Sequence, residues 1–202
     1  MQARGFGDHA VLLECAGPDE VRAAYAEARR RQEAGELSCT DIVPAASTLL
    51  LDGVTHLEAL LEGLDEWPME LPDDAEDRLV ELAVSYDGPD LESVAERCAM
   101  AVEEVVELHR QSDFVVAFCG FAPGFAYLSG LPKKLQVPRL EEPRSKVPAG
   151  SVGLAGTFTG VYPRSSPGGW QLIARTHERL WDVDSDPPAL LMPGTRVRFV
   201  DG

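Results

Sequence analysis

Between Gly120 and Trp170 the chain reads GFAPGFAYLSGLPKKLQVPRLEEPRSKVPAGSVGLAGTFTGVYPRSSPGGW. Glycine or proline returns every few residues, and Phe121, Phe125, Tyr127, Phe158, Tyr162 and Trp170 are interleaved with them. A disordered linker with this much glycine and proline is poor in aromatics, and this stretch is not. Glycine admits left-handed backbone and close approach, whereas proline fixes φ and cannot donate to a central ladder. Tight turns between short strands, wrapped around an aromatic pocket, are the fold this pattern predicts.

The change of character is sharp. Residues 112–202 hold 10 of the 15 prolines and 11 of the 18 glycines. FVVAFCG, SVGLAG, WQLIAR and TRVRFV read there as short strands separated by turns, the pattern of a β-barrel or sandwich. Residues 1–111 carry 26 acidic and 8 basic side chains, against 8 and 10 in the remainder, so the net charge of −16 belongs to the first half. That excess argues against nucleic acid as a partner, because phosphates require basic neighbours. It reads instead as a solvated surface, with an acidic face for a basic partner as the second reading.

In the first half, AVLLEC (10–15) reads as a buried strand. Pro18 and Asp19 open a helix that Gly35 stops, with Val21, Ala24, Tyr25 and Ala28 on one face. IVPAASTLLL (42–51) reads as a second strand, and THLEALLEGLDEW as a second helix with Thr55 as N-cap and Leu57, Leu60, Leu61 and Leu64 as its stripe. A polar loop, PMELPDDAED, leads to RLVELAVSY (78–86), which alternates as a half-buried strand does. The order βαβαβ predicts an open-faced α/β sandwich over residues 1–87. Asp87-Gly88-Pro89-Asp90 is a turn and helix start. Two short helices over 90–111 then lead into a barrel domain, residues 88–202.

The 45% hydrophobic fraction is that of a globular chain. With no apolar run of membrane-spanning length and no signal-like start, the expected location is the cytoplasm. Cys15, Cys39, Cys98 and Cys119 form no CxxC, and His9, His56, His109 and His177 have no metal-ligand spacing. No metal or organic cofactor is expected. There is no P-loop, and GFAPGF is not GxGxxG. Ser151 in AGSVG is not the serine of GxSxG and has no histidine or acid near it in sequence.

The cations of the second half are the candidate ligand-binding groups. Arg139 and Arg144 each follow a proline, and a guanidinium binds carboxylate or phosphate bidentately. Pairing with Glu141, Glu142 or the acidic half is the alternative for both, and the preferred reading for Lys133 and Lys134. Lys146 reads as a surface lysine. Phe121, Tyr127, Tyr162 and Trp170 are candidates for the pocket wall; burial with a backbone partner is the equal alternative for the two tyrosines, and barrel core is the preferred reading for Trp170. His109 falls at i+7 from Val102 on an apolar helix face, where a lone histidine is usually a satisfied core residue.

GFAPGFAYL, VPR, EPRSKVPAGSVGLAG, TGVYP and SPGGW, in that order, resemble the signature of one bacterial family. Its members include the B-type subunit of 5-oxoprolinase, the kinase inhibitor KipI and allophanate hydrolase subunit 1. SYDGPDLESVA, Leu108-His109 and LLMPGTRVRF extend the resemblance over nearly the whole chain. It implies an α+β chain, a ferredoxin-like α/β sandwich followed by a cyclophilin-like β-barrel. The family's histidine before the barrel makes His109 a substrate-binding candidate. Three roles follow from the resemblance, in order of preference. The first is the B-type subunit of a complex, with a C-type and a separate A-type subunit, that cleaves 5-oxoproline to glutamate with ATP as co-substrate. The second is an allophanate hydrolase or urea-processing subunit, working with an allophanate hydrolase subunit 2 homologue. The third is an inhibitor of a sensor histidine kinase. No complete catalytic constellation is present, so the chain is expected to be inactive alone. Three positions depart from the family pattern: Phe158 for a usual glutamine, Ala174 for glycine and Ala126 for proline.

Overall fold

A computed structural model describes residues 1–71 and 78–202. The chain divides into two compact units, Met1–Glu76 and Asp77–Gly202. The part of the expected polar loop from 72 to 77 lies outside the described residues.

The first unit holds β1 (Gln2–Gly5), β2 (Ala10–Glu14), α1 (Pro18–Glu33), β3 (Asp41–Pro44), β4 (Thr48–Asp52) and α2 (Leu57–Gly63). Its four strands form one sheet in the order β1-β2-β4-β3, antiparallel throughout. Helix α1 begins where the sequence predicts, with Pro18 in its first turn, Asp19 and Glu20 beside the positive end of the dipole, and Arg30 and Arg31 at the negative end. Val11, Leu13, Leu49 and Leu51 from the sheet and Ala24 and Ala28 from α1 form the core, closed by Leu64 and Trp67.

Three expectations for this unit are corrected. The element order is ββαββα and not βαβαβ, because β1 precedes the first expected strand and the second expected strand is two. The single strand read over 42–51 is a hairpin, because the chain turns at Ala45–Ser47 and the Ala45 N–H donates to the Thr48 carbonyl at 2.8 Å. Pro44 therefore ends a strand rather than interrupting one. Helix α2 is flanked by His56, not Thr55, and no side chain caps it.

The second unit holds β5 (Leu79–Ser85), α3 (Leu91–Cys98), α4 (Val102–Arg110), β6 (Phe114–Cys119), β7 (Ala126–Ser129), β8 (Arg144–Val147), β9 (Ser151–Ala155), β10 (Phe158–Val161), β11 (Ser166–Gly168), β12 (Gln171–Thr176) and β13 (Arg196–Asp201). Seven strands close a barrel in the order β10-β7-β6-β13-β5-β12-β9, and β8 and β11 make a separate two-stranded ribbon. The strand expected to end the first domain is thus a barrel strand. Its alternate residues Leu82 and Val84 belong to the barrel core, and it runs parallel to β13 from Leu79↔Arg196 to Val84↔Asp201. The unit boundary accordingly falls before this strand, ahead of the Asp87–Asp90 turn.

Within the barrel, Val116, Leu128, Val152, Leu154, Ile173 and Phe199 share one interior with Val94 and Val105 from the helices. A second apolar cluster, Phe125, Val147, Ala155, Tyr162, Trp170 and Leu172, collects residues from barrel strands and from the ribbon. On β9, Val152 and Leu154 enter the interior while Ala155 joins this second cluster, as strand alternation requires. The ribbon therefore covers a patch of the barrel's outer face, and the candidate site lies under it.

Candidate functional site

The turn Gly120–Gly124 joins β6 to β7. Phe121 sits there with φ +68°, a left-handed conformation rare for a bulky residue, and the residue is 61% exposed. Gly124 follows with φ +79°, and a Cβ there would meet Trp181 Cβ at 2.8 Å, so only glycine fits. The turn thus holds Phe121 out over the barrel while Phe125 packs beneath it, ring centroids 5.3 Å apart.

Phe125 is the centre of an edge-to-face aromatic array. Its ring lies 5.0 Å from Tyr127, 5.3 Å from Tyr162 and 5.5 Å from Trp170. Such geometries set the positive edge of one ring on the negative face of another. Phe158 meets Tyr127 edge-on at 5.8 Å, and Phe118 stacks on Tyr127 at 4.3 Å. The aromatic that replaces the usual glutamine therefore backs the cleft and does not line it.

Phe121, Phe125, Tyr127, Arg139, Tyr162 and Trp170, with Gly168 and Gly169, enclose a cleft of about 90 Å³. Gly168 is there by necessity, since a Cβ on it would lie 2.4 Å from the Tyr162 hydroxyl oxygen. Burial raises the Tyr162 pKa, opposed by a hydrogen bond from the Trp170 backbone and by the charge of Arg139. Tyr162 is thus a neutral phenol at physiological pH. Arg139 is exposed and has no ion-pair partner among the described residues. Phe121 is also a wall of a neighbouring, more apolar cleft of about 440 Å³ that includes Trp181, Ala189 and Met192.

Five of the seven residues singled out in the sequence, Phe121, Tyr127, Arg139, Tyr162 and Trp170, meet in this one cleft. Arg144 does not line it. Its Nη2 is 2.6 Å from Asp90 Oδ1, and Asp90 Oδ2 accepts the Leu172 backbone N–H at 2.6 Å. Arg144 thereby ties the ribbon to the start of α3 and to β12, and its partner is an acid of residues 1–111, as the ion-pair alternative expects, rather than Glu141 or Glu142.

His109 is placed elsewhere too. It is fully buried in the barrel between Phe114 and Phe199, at centroid distances of 5.0 and 4.7 Å. Nδ1 is 2.8 Å from the Tyr86 hydroxyl and Nε2 is 3.1 Å from Thr159 Oγ1. Thr159 donates to the Gly153 carbonyl at 3.1 Å, so its oxygen is left to accept from His109 Nε2–H, and Tyr86 donates to Nδ1. Burial lowers the His109 pKa to about 3, keeping it neutral. It braces the core and lines neither of the two clefts around Phe121.

Lys133 and Lys134 sit on a 3₁₀ turn, exposed, across a groove from Glu103, Glu104 and Glu107. Phe125, Gly168 and Gly169 were missed as lining residues, although GFAPGF and SPGGW were the signals that placed their neighbours. The four cysteines are free thiols. No group of His, Cys, Asp and Glu able to hold a metal occurs among the described residues, and none of their helices is long and apolar enough to cross a membrane.

The family model for the carboxyltransferase domain, subdomain C and D, matches residues 1–191. The chain is 45% identical over 169 residues to an Escherichia coli O157:H7 protein named as the B subunit of 5-oxoprolinase, covering 82% of this chain and 75% of that one. It is likewise 45% identical over 148 residues to the Bacillus subtilis protein of that name, covering 71% of this chain but 62% of that one. Among solved structures, TTHA0988 superposes over 100% of this chain with a TM-score of 0.82 and 36% identity, yet this chain spans only 41% of it. The uncharacterized protein PH0987 from Pyrococcus horikoshii matches over 100% of this chain and 97% of its own, with a TM-score of 0.61 and 35% identity. Kluyveromyces lactis urea amidolyase, at 16% identity, shares the fold with a TM-score of 0.76 over 99% of this chain and 15% of its own. With the family model matching nearly its whole length, the chain belongs to the carboxyltransferase-domain family, subdomain C and D.

Proposed function

We propose that this chain is the B-type subunit of an ATP-dependent 5-oxoprolinase complex and that the aromatic cleft binds 5-oxoproline. The observation that carries the reading is an unpaired guanidinium, Arg139, at the edge of a cleft otherwise walled by aromatic rings. 5-Oxoproline is a small lactam with apolar ring methylenes and one carboxylate. Its ring faces suit Phe125, Tyr127 and Trp170, its carboxylate suits Arg139, and its lactam oxygen suits a neutral phenol donor such as Tyr162. Displacement of the Phe121 ring would join the cleft to the neighbouring 440 Å³ space and admit the ligand.

The lactam carbonyl is a poor electrophile. Transfer of the ATP γ-phosphoryl group to its oxygen would turn that oxygen into a leaving group. Water adds to the carbon and the ring C–N bond breaks, the nitrogen taking up a proton and leaving as the amine of an acyl phosphate; a second water then displaces phosphate to give glutamate. Cationic and phenolic donors near the oxygen would stabilise the charge that develops. An adenine nucleotide is far larger than a 90 Å³ cleft with one arginine, so ATP belongs to the partner subunits in this reading, one C-type and one A-type. The finer fold labels, ferredoxin-like and cyclophilin-like, belong to the same reading.

The test is assembly with those partners followed by ATP-dependent release of glutamate from 5-oxoproline. Allophanate and urea are run in parallel as competing substrates. Turnover of 5-oxoproline that is lost in Arg139→Ala supports the reading. Turnover of allophanate or urea alone overturns it.

A further inference from the structure

A second cleft, about 330 Å³, opens on the outer face of the same barrel and shares no lining residue with the aromatic one. Asp87, Pro89, Pro148, Ser151, Arg175 and His177 are among its walls. Residues far apart in sequence thus line one cleft, and the serine that had no acid or histidine near it along the chain shares that cleft with both.

Ser151 is the first residue of β9. Val152 and Leu154 enter the barrel interior, so Ser151 points the other way. It is only 6% exposed, yet its hydroxyl has no hydrogen-bond partner among the described residues. Its Oγ is not among the buried side-chain atoms left without a partner, so it keeps access to the cleft it lines and can bond a ligand there.

Both walls are set in advance. Gly150, with φ +80°, presses against β12 so closely that a Cβ would lie 2.0 Å from the Thr176 carbonyl oxygen. On the other side, the Gly88 N–H donates to the Ile173 carbonyl at 3.1 Å, and a Cβ there would lie 2.3 Å from the Leu172 oxygen. A site already in its bound shape loses little freedom when filled.

At the mouth, Arg175 Nη2 is 2.7 Å from Asp87 Oδ2, and the two side chains are 59% and 45% exposed. An exposed pair of this kind contributes little to stability. The pair can therefore be parted at small cost by a ligand that offers both opposites at once.

We infer that this cleft is a binding site for a free α-amino acid. Its ammonium group meets Asp87, its carboxylate meets Arg175, and a polar side chain reaches Ser151 with His177 at the rim. A simple anion satisfies Arg175 but faces the Asp87 carboxylate, and a simple cation meets the reverse conflict. Only a zwitterion answers both. 5-Oxoproline has an amide nitrogen and no ammonium, so this cleft discriminates against it. The ligand class follows from the cleft's own groups. Only the choice of glutamate as first probe rests on the proposed function.

The test is calorimetric titration of the full chain with L-glutamate, L-alanine, N-acetyl-L-glutamate, glutarate and 5-oxoproline. Saturable glutamate binding is expected, with acetylation or loss of the amine weakening it at least tenfold. Ser151→Ala and Asp87→Asn should each weaken it by about tenfold, the loss of one hydrogen bond or ion contact. Arg139→Ala should leave it unchanged. Binding of N-acetylglutamate equal to that of glutamate overturns the inference. So does glutamate binding indifferent to both variants, or no saturation below about 10 mM. Failure of the complex to turn over 5-oxoproline would remove the oxoprolinase reading and leave this titration standing.

Discussion

Arg144 Nη2 lies 2.6 Å from Asp90 Oδ1. Asp90 is 7% exposed, so its charge depends on that guanidinium and on the Leu172 N–H for compensation. Of the two readings the sequence left open for Arg144, ligand binding and pairing with an acid of the first half, the structure shows the second: it is a brace.

Substitution should separate the two roles. Arg144→Ala leaves Asp90 buried with one partner and should lower unfolding stability by about 2–4 kcal/mol, discounted because Arg144 is itself 29% exposed. Arg139→Ala should leave the thermal midpoint within about 1 °C of the parent. It should weaken 5-oxoproline binding in the assembled complex by roughly tenfold to a hundredfold. Chemical denaturation and calorimetry on both variants check this. Equal midpoints for the two would contradict the assignment.

His109 carries a pH dependence whose sign follows from its burial. In the unfolded chain it takes up a proton below about pH 6.5, whereas in the folded barrel its pKa is about 3. The unfolded state thus binds more protons between these values. The stability that neutral His109 contributes is fully present above about 6.5 and is lost as pH falls towards 3, by up to about 1.4 kcal/mol per unit. Urea titrations at about pH 7 and pH 5 should show the drop in the parent and a smaller one in His109→Gln. An identical drop in both would move the cause to another group.

Phe121 should show strain coupled to function. Its left-handed backbone costs about 1–2 kcal/mol for a bulky residue, and its exposed ring recovers little by packing. Phe121→Gly should therefore hold or raise the thermal midpoint while accelerating ligand release from the aromatic cleft. Phe121→Tyr, which keeps the ring, should retain slow release. Stopped-flow fluorescence of Trp170 reads the rate. A lowered midpoint in Phe121→Gly would make the ring a packing element instead.

Gly168→Ala forces a Cβ to within 2.4 Å of the Tyr162 oxygen unless something moves. Tyr162 or the ribbon must shift, and 5-oxoproline affinity should fall by at least tenfold. Gly156→Ala is the control for stability, since its added Cβ meets nothing within 4 Å and its cost is only the positive φ of 58°. If Gly168→Ala binds like the parent, Tyr162 does not shape the site.

The barrel strands were legible where apolar residues run together, as in FVVAFC and QLIART, because burial on both faces leaves that mark. Strands β8 and β11 were not, since RSKV and SPG carry no apolar pattern and exist only by pairing with each other. The same limit misplaced β5. Its alternation showed a half-buried strand but not which sheet, and its partner β13 lies more than a hundred residues on. The aromatic cleft could be read because Gly, Pro and aromatic residues concentrate in one stretch. The Asp90–Arg144 pair and the Ser151 cleft depend on residues brought together from distant segments, and no local spacing announces them.

The parallel pairing of β5 with β13 has a consequence for the order of events as the chain folds. β13 also pairs with β6, so it fills the place between two strands that emerge far earlier during synthesis. Until residues 196–201 are available, β5 and β6 expose unpaired edges. The first unit, whose described strands pair with one another, has been made by then. The barrel's last seam is closed by its last-made strand, and the interval before closure is when the nascent chain is most open to strand exchange, aggregation or chaperone capture.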